Sequence, residues 1–312
     1  MRVPRRGARK FRRSRKGNTT MKIGFIGLGL MGRAMVQCLQ NAGHDLVVMG
    51  NRDRTGVEQA LARGAQEATS ARALTQASDV VMLCVSTSEQ VENLVYGEGG
   101  ILSAVSDGQI VLDFGTSLPE STKKIGAAMA EKGVHYMDCP LGRTPASAVD
   151  GKLNIMAGGS QEAFDSAKPI LDQLGENIFH LGPLGSGNTI KLLNNYIGMT
   201  FVATISEAYA TADAAGISRG ALYDVVGSGP LHSMMLDMVS AYMVGGENKM
   251  EFTIANASKD LGYFRQMAGD LGLENRMSEA SSAMYAAATE DGAGGDLVPQ
   301  IVDWVTAQSR NG

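Results

Sequence analysis

Residues 22–32 constrain this chain more than any other stretch. Lys22-Ile23-Gly24-Phe25-Ile26 is a short apolar run that reads as a buried strand, and Gly27-Leu28-Gly29-Leu30-Met31-Gly32 follows it without a spacer. Ala34, Met35, Cys38 and Leu39 then recur at helical spacing up to Gly43. Strand, glycine turn and helix in that order give G-x-G-x-x-G its physical meaning. Gly27 permits a tight turn, Gly29 removes a side chain that would keep backbone N–H groups from a pyrophosphate, and Gly32 lets the helix sit close to the strand. The helix N-terminus then faces the anion. The stretch therefore predicts a dinucleotide site at Gly27, Leu28, Gly29, Leu30, Met31 and Gly32.

The residues that follow continue a strand–helix alternation. Leu46-Val47-Val48-Met49 reads as a second strand, ending in Gly50-Asn51-Arg52-Asp53-Arg54. No acid stands directly at that end to take a ribose 2′-OH, whereas Asn51, Arg52 and Arg54 suit a 2′-phosphate. NADP is the expected cofactor, with NAD left open by Asp53 on a short loop. Further strands are expected over 78–85, after a helix around 71–77, and over 109–113 and 134–138. In such sheets ligands collect at the carboxyl ends of strands. This places Val85 and Ser86 over the cofactor. Thr116 and Ser117 are either turn and cap residues or face the nicotinamide end. The last strand runs into Cys139-Pro140-Leu141-Gly142-Arg143-Thr144-Pro145. Arg143 reads as an ordinary surface arginine, or as a group that grips an anion together with the N–H groups of Gly142 and Thr144.

Strands over 152–157 and 177–181 flank a helix over 163–174. One long apolar helix is then expected from Gly187 to Ala215, about 28 residues and about 42 Å, a length that suits a link between domains. Near its start Lys191 precedes Asn194 and Asn195 by three and four residues, so the three share a face. The plain reading is a solvated lysine beside a capping amide pair. The other is a lysine aimed into a cleft, with Asn195 holding its ammonium or a substrate oxygen. The remaining sequence is rich in Ala and Met at helical spacing; Met234, Met235, Met238 and Met243 read as core or subunit interface. The expected architecture is α/β: a Rossmann-type dinucleotide-binding domain over 21–184, then an all-α domain over 185–312 that includes the interdomain helix.

Composition narrows the function classes. Nine of the 28 Lys and Arg fall within residues 1–16, leaving 19 against 32 Asp and Glu in the body. An acidic body argues against nucleic-acid binding by the whole protein. Residues 1–20 read as a disordered basic tail or as an extension ahead of a translation start at Met21. No apolar run suits a bilayer span. The 3 Cys and 4 His form neither a disulfide framework nor a metal-ligand spacing. A cytoplasmic protein without a metal is expected.

The order of these motifs resembles the β-hydroxyacid dehydrogenases over residues 21 to about 305. Four stretches carry the resemblance: Gly27 to Gly32, Asp138 to Thr144, Gly185 to Asn195, and Lys259-Asp260-Leu261-Gly262. It implies Lys191 as general acid/base supported by Asn195, Asn194 at the substrate, Thr116 near the nicotinamide, and Lys259 near cofactor and substrate. A general acid of this kind needs a lowered pKa, which partial burial provides. The family's substrate loop is usually Asp-x-Pro-Val-Ser-Gly-Gly, and here Gly142-Arg143-Thr144 replaces Ser-Gly-Gly. That variant resembles the sulfolactaldehyde reductases, in which the arginine helps to bind a sulfonate. It implies reduction of 3-sulfolactaldehyde to 2,3-dihydroxypropane-1-sulfonate. Carboxylate semialdehydes or 3-hydroxyisobutyrate are the alternative substrates, and a cofactor-binding protein without turnover is the alternative of another class. Ser86 stands where many members carry proline, which bears on ring placement. The helical half suggests a homodimer or homotetramer with a small anionic substrate as its ligand.

Overall fold

A computed structural model describes residues 12–13 and 19–311. The basic stretch read from residues 1–16 lies outside these apart from Arg12–Arg13, which pairs antiparallel with Thr19–Thr20. The chain divides into two compact units, Met1–Lys191 and Leu192–Gly312.

The first unit holds a six-stranded parallel sheet. Its strands are β1 (Lys22–Ile26), β2 (Asp45–Met49), β3 (Gln66–Glu67), β4 (Val80–Leu83), β5 (Ile110–Asp113) and β6 (His135–Asp138). Their order across the sheet is β3-β2-β1-β4-β5-β6, the 3-2-1-4-5-6 order of the Rossmann fold. Apart from the short, exposed β3, the strands are largely apolar and buried on both sides, as a sheet covered on both faces requires. Ile23, Phe25, Val80, Met82, Ile110 and Leu112 enter one core, with Met35 and Leu39 of α1 (Leu30–Asn41). Ile26, Val81, Leu83 and Val111 enter the other, with Leu74 of α3 (Ala71–Gln76) and Val91 and Val95 of α4 (Ser88–Tyr96). The helices α2 (Thr55–Ala62) and α5 (Pro119–Ala130) complete the alternation.

A small second sheet follows. β7 (Leu141–Gly142) pairs antiparallel with β8 (Leu153–Ala157), which pairs parallel with β9 (Gly175–His180). The helices α6 (Pro145–Val149) and α7 (Gln161–Leu174) separate these strands.

α8 (Ser186–Ala214) is one helix of 29 residues, about 44 Å long. Its first residues belong to the first unit because polar groups there hold them, as described below. From Leu192 onward it belongs to the second unit. There Val202 and Tyr209 pack with α10 (Met234–Gly245), α11 (Ile254–Asp270), α12 (Arg276–Glu290) and α13 (Ile301–Asn311). The Tyr209 hydroxyl meets Ser240 Oγ at 2.8 Å, and the Tyr285 hydroxyl donates to the Met199 carbonyl at 3.2 Å. Both buried phenols are thereby satisfied. α9 (Arg219–Gly227) is tied back to α8 by Arg219 on Asp213. The methionine stripe is not uniform: Met243 is buried and Met235 and Met238 are half-buried, but Met234 is 82% exposed.

Candidate active site

The glycine turn has the geometry its motif implies. Gly27 has φ +97°, and a Cβ there would lie 2.3 Å from the Cys84 carbonyl oxygen. A Cβ on Gly32 would lie 1.9 Å from the Gly27 carbonyl oxygen. A Cβ on Gly29 would meet nothing within 4 Å, and no side chain caps α1 at that residue. The first-turn N–H groups of α1 thus open on a space kept clear of protein, which is what a pyrophosphate needs. Leu28 is buried beneath the N-terminus of α2, while Leu30 is exposed and Met31 half-buried. The residues present fit a dinucleotide.

The other cofactor residues read from the sequence fall around the same strand ends. Asn51 and Arg52 follow β2 and are exposed, Val85 and Ser86 follow β4, and half-buried Thr116 follows β5. Asp53 and Arg54 are engaged with their neighbours. Asp53 Oδ1 accepts the Thr55 N–H at 2.9 Å, and that bond holds its carboxyl below the usual range. Arg54 forks onto Glu67 at 2.6 and 2.8 Å. Of the cations proposed for a 2′-phosphate, Arg52 is therefore the one not committed to that pair.

The start of α8 is bound to the strand ends of the first unit. Asp138, the last residue of β6, is fully buried. Its Oδ1 accepts the Gly185 N–H at 2.8 Å and its Oδ2 the Asn188 N–H at 2.7 Å. Asn188 Oδ1 accepts the Ser117 N–H at 3.0 Å, and its Nδ2 donates to Thr122 Oγ1 at 3.1 Å. Lys191, half-buried, stands three residues further along the helix. Burial raises the Asp138 pKa, and the N–H groups of Gly185, Asn188 and Gly187 oppose that rise. Neither Asp138 nor Asn188 was singled out for this task by the sequence. The available signal was a carboxylate closing an apolar strand, which has to find donors.

In the substrate loop the side chains are engaged with their neighbours in the small sheet. Arg143 has φ +75°, the one non-glycine residue with positive φ among the described residues. Its Nη1 donates to Glu176 Oε2 at 2.5 Å and to the Lys152 carbonyl at 2.8 Å. Thr144 caps α6, with its Oγ1 3.4 Å from the Ser147 N–H. Gly142 is paired in β7. Cys139 is fully buried, and burial foremost pushes its thiol well up, which makes it inert. Cys84 is pushed up to about 12, by burial first and the Asp113 charge second.

In the second unit Asn195 is buried and its Nδ2 donates to Asp260 Oδ2 at 2.6 Å. Asn194, exposed, donates to Asn195 Oδ1 at 3.1 Å. Lys259 Nζ lies 2.9 Å from the other Asp260 oxygen and 5.1 Å from the Tyr263 ring centroid. Asp260, which the sequence offers in the stretch Lys259 to Gly262 without a role, is thus the hub joining Asn195 and Lys259. Stacking of Tyr196 on Phe264, 4.2 Å between centroids, holds α8 and α11 in this register. Among the described residues no group of three or more His, Cys, Asp or Glu could hold a metal, and no helix is long and apolar enough to cross a membrane.

Residues 22–182 match the NAD binding domain of 6-phosphogluconate dehydrogenase, and residues 185–304 match the NAD-binding domain of NADP-dependent 3-hydroxyisobutyrate dehydrogenase. The chain is 35% identical to an NAD-dependent L-serine dehydrogenase of Pseudomonas aeruginosa, over 84% of this chain and 87% of that one. It is 31% identical to a 3-sulfolactaldehyde reductase of Escherichia coli, over 87% and 91%. A crystal structure of 3-hydroxyisobutyrate dehydrogenase from Salmonella typhimurium superposes with a TM-score of 0.80 at 25% identity, covering 91% of this chain and 99% of that one. The chain binds NAD(P), and with both halves matched in sequence order it belongs to the β-hydroxyacid dehydrogenase family of NAD(P)-dependent oxidoreductases acting on CH–OH groups.

Proposed function

We propose that this member reduces a short aldehyde with an anionic end, and that 3-sulfolactaldehyde, yielding 2,3-dihydroxypropane-1-sulfonate, is its best substrate. The observation that carries this reading is Arg143 at φ +75° in the loop leaving β6. A non-glycine residue held there costs on the order of 1–3 kcal/mol, and the family's usual loop carries glycine at that place. An arginine kept against such a cost has a task, and a guanidinium fits a sulfonate or a carboxylate. The similarity to a 3-sulfolactaldehyde reductase supports the sulfonate.

In this reading Arg143 and the N–H groups of Gly142 and Thr144 hold the anionic end, and Asn194 contacts the substrate. Lys191 gives a proton to the carbonyl oxygen during reduction and takes it back from the hydroxyl during oxidation. Asn195, its amide oriented by Asp260, directs the ammonium or the substrate oxygen. A bound nicotinamide supplies the hydride. Arg52 and Asn51 favour the 2′-phosphate of NADP, and Lys259 faces cofactor and substrate. The protein acts in the cytoplasm as a homodimer or homotetramer; Leu193 and Ile197, 38% and 67% exposed on α8, support association.

Identity of 35% to an L-serine dehydrogenase favours a second reading, with a carboxylate in the sulfonate's place. Steady-state kinetics with NADH and NADPH against 3-sulfolactaldehyde and carboxylate semialdehydes, and with NAD+ and NADP+ against L-serine, separates the two. The highest kcat/KM is expected for 3-sulfolactaldehyde with NADPH. A higher kcat/KM for a carboxylate overturns the sulfonate assignment.

A further inference from the structure

The small sheet shows what occupies Arg143. β7 and β8 are antiparallel, with Gly142 opposite Asn154 and Leu141 opposite Ile155. Arg143 therefore stands beside the start of β8, while Asp138 bridges Gly158 past the other end of that strand. Five strand residues, about 16 Å at about 3.3 Å each, separate the two ends. The start of α8 is bound at the Asp138 end. Glu176 lies next to Gly175, which pairs with Leu153 at the opposite end. The Arg143–Glu176 pair thus lies across the end of the small sheet opposite the Asp138–Gly158 bridge.

We propose that Glu176 is an internal competitor that holds Arg143 until the anionic end of a substrate displaces it, so that Glu176 sets how strongly the site selects for anions. This rests on the reading of Arg143 as the anion-binding residue. The contact has the properties such a latch needs. Both side chains are solvent-accessible, at 34% and 52%, so the guanidinium can leave without opening a core. Glu176 and the Lys152 carbonyl together engage one nitrogen only, Nη1, whereas a substrate sulfonate or carboxylate can take two parallel N–H groups. Exposed ion pairs are weak, equivalent to about two- to fivefold in an equilibrium constant. A bidentate anion therefore wins the exchange, and a substrate without charge gains nothing from it.

The test compares wild type, Glu176→Gln, Arg143→Ala and the double variant on 3-sulfolactaldehyde and on glyceraldehyde, its uncharged counterpart, with thermal unfolding as a folding control. For Glu176→Gln the KM for 3-sulfolactaldehyde is expected to fall about two- to fivefold, with kcat little changed and no change for glyceraldehyde. In the Arg143→Ala background the same substitution is expected to have no effect. An unchanged or raised KM overturns the latch, and so does an equal fall when Arg143 is absent. If wild type turns over neither compound while binding cofactor, the functional reading fails, and the latch with it. Normal turnover with an unmoved KM overturns the latch alone.

Discussion

The Asp138 carboxylate takes the backbone N–H of Asn188 at 2.7 Å, so the last residue of β6 caps the helix that carries Lys191. A helix N-terminus leaves donors unsatisfied, and a buried carboxylate needs donors. Each group answers the other's requirement, and the positive end of the α8 dipole adds to the match.

This pairing has a pH signature. Burial raises the Asp138 pKa despite the N–H groups that oppose the rise. A carboxyl with a higher pKa folded than unfolded binds its proton more tightly in the folded state. Its stabilising contribution is fully present below the unfolded value, about 3.9. It declines as pH rises through the folded pKa and is flat above it. Asp138→Asn cannot titrate, so the stability of wild type minus that of Asp138→Asn isolates the effect. Measured by denaturant unfolding from about pH 3 to about pH 7, this difference is expected to fall as pH rises. A difference that grows with pH contradicts the raised pKa. Asp138→Ala strands the buried N–H groups of Gly185 and Asn188, each at about 1–3 kcal/mol, and is expected to cost about 3 kcal/mol.

Two glycines of the same turn separate binding from folding. At Gly32 a Cβ would collide with the Gly27 carbonyl at 1.9 Å, a backbone atom that cannot step aside. Gly32→Ala is expected to lower stability by about 3 kcal/mol and to lose cofactor together with the fold. At Gly29, φ is −66° and a Cβ meets no protein atom within 4 Å. Gly29→Ala is expected to unfold at the wild-type temperature yet to bind NADPH at least about tenfold more weakly, because the methyl intrudes where the pyrophosphate approaches. Differential scanning calorimetry with cofactor titration reads both quantities. Unchanged NADPH affinity in Gly29→Ala would remove the pyrophosphate from α1.

The general acid assigned to Lys191 is tested by Lys191→Ala. Turnover is expected to fall about 10²- to 10⁴-fold, while NADPH affinity stays within about twofold, since the pyrophosphate and adenosine are held away from the nicotinamide. Stopped-flow hydride transfer and fluorescence titration measure the two separately. Retention of most of the activity would transfer the proton step to another residue.

The sheet was legible in the sequence because its strands are buried on both faces and end at glycine or polar turns: Lys22–Ile26, Asp45–Met49 and Val80–Leu83 stand within a few residues of their expected places. The glycine turn was legible because its chemistry is local. What was not legible depends on partners far apart in sequence. Asp138 and Asn188 are 50 residues apart, and Asn195 and Asp260 are 65 apart. The local segment shows at most that Asp138 needs donors, and neither segment shows which residues answer. Arg143 shows the same limit differently: its residue type suggested an anion site, but Glu176, 33 residues on, sets where its guanidinium rests.

Arg143→Gly sets the backbone of that loop against its chemistry. Glycine accepts φ +75° without the penalty an arginine bears there, while the ion pair lost to Glu176 is an exposed one, at about 0–1 kcal/mol. Relief of the left-handed strain, on the order of 1–3 kcal/mol, exceeds that loss. Arg143→Gly is therefore expected to be about 1 kcal/mol more stable than wild type by denaturant unfolding. The same variant loses the guanidinium from the substrate's anionic end, so its kcat/KM for 3-sulfolactaldehyde is expected to fall by about tenfold or more. Glyceraldehyde, without the sulfonate, is expected to be reduced about as well as before. A gain in stability with a selective loss on the anionic substrate identifies a residue kept for binding at the expense of the fold. A loss of stability would instead make Arg143 a structural residue of the small sheet.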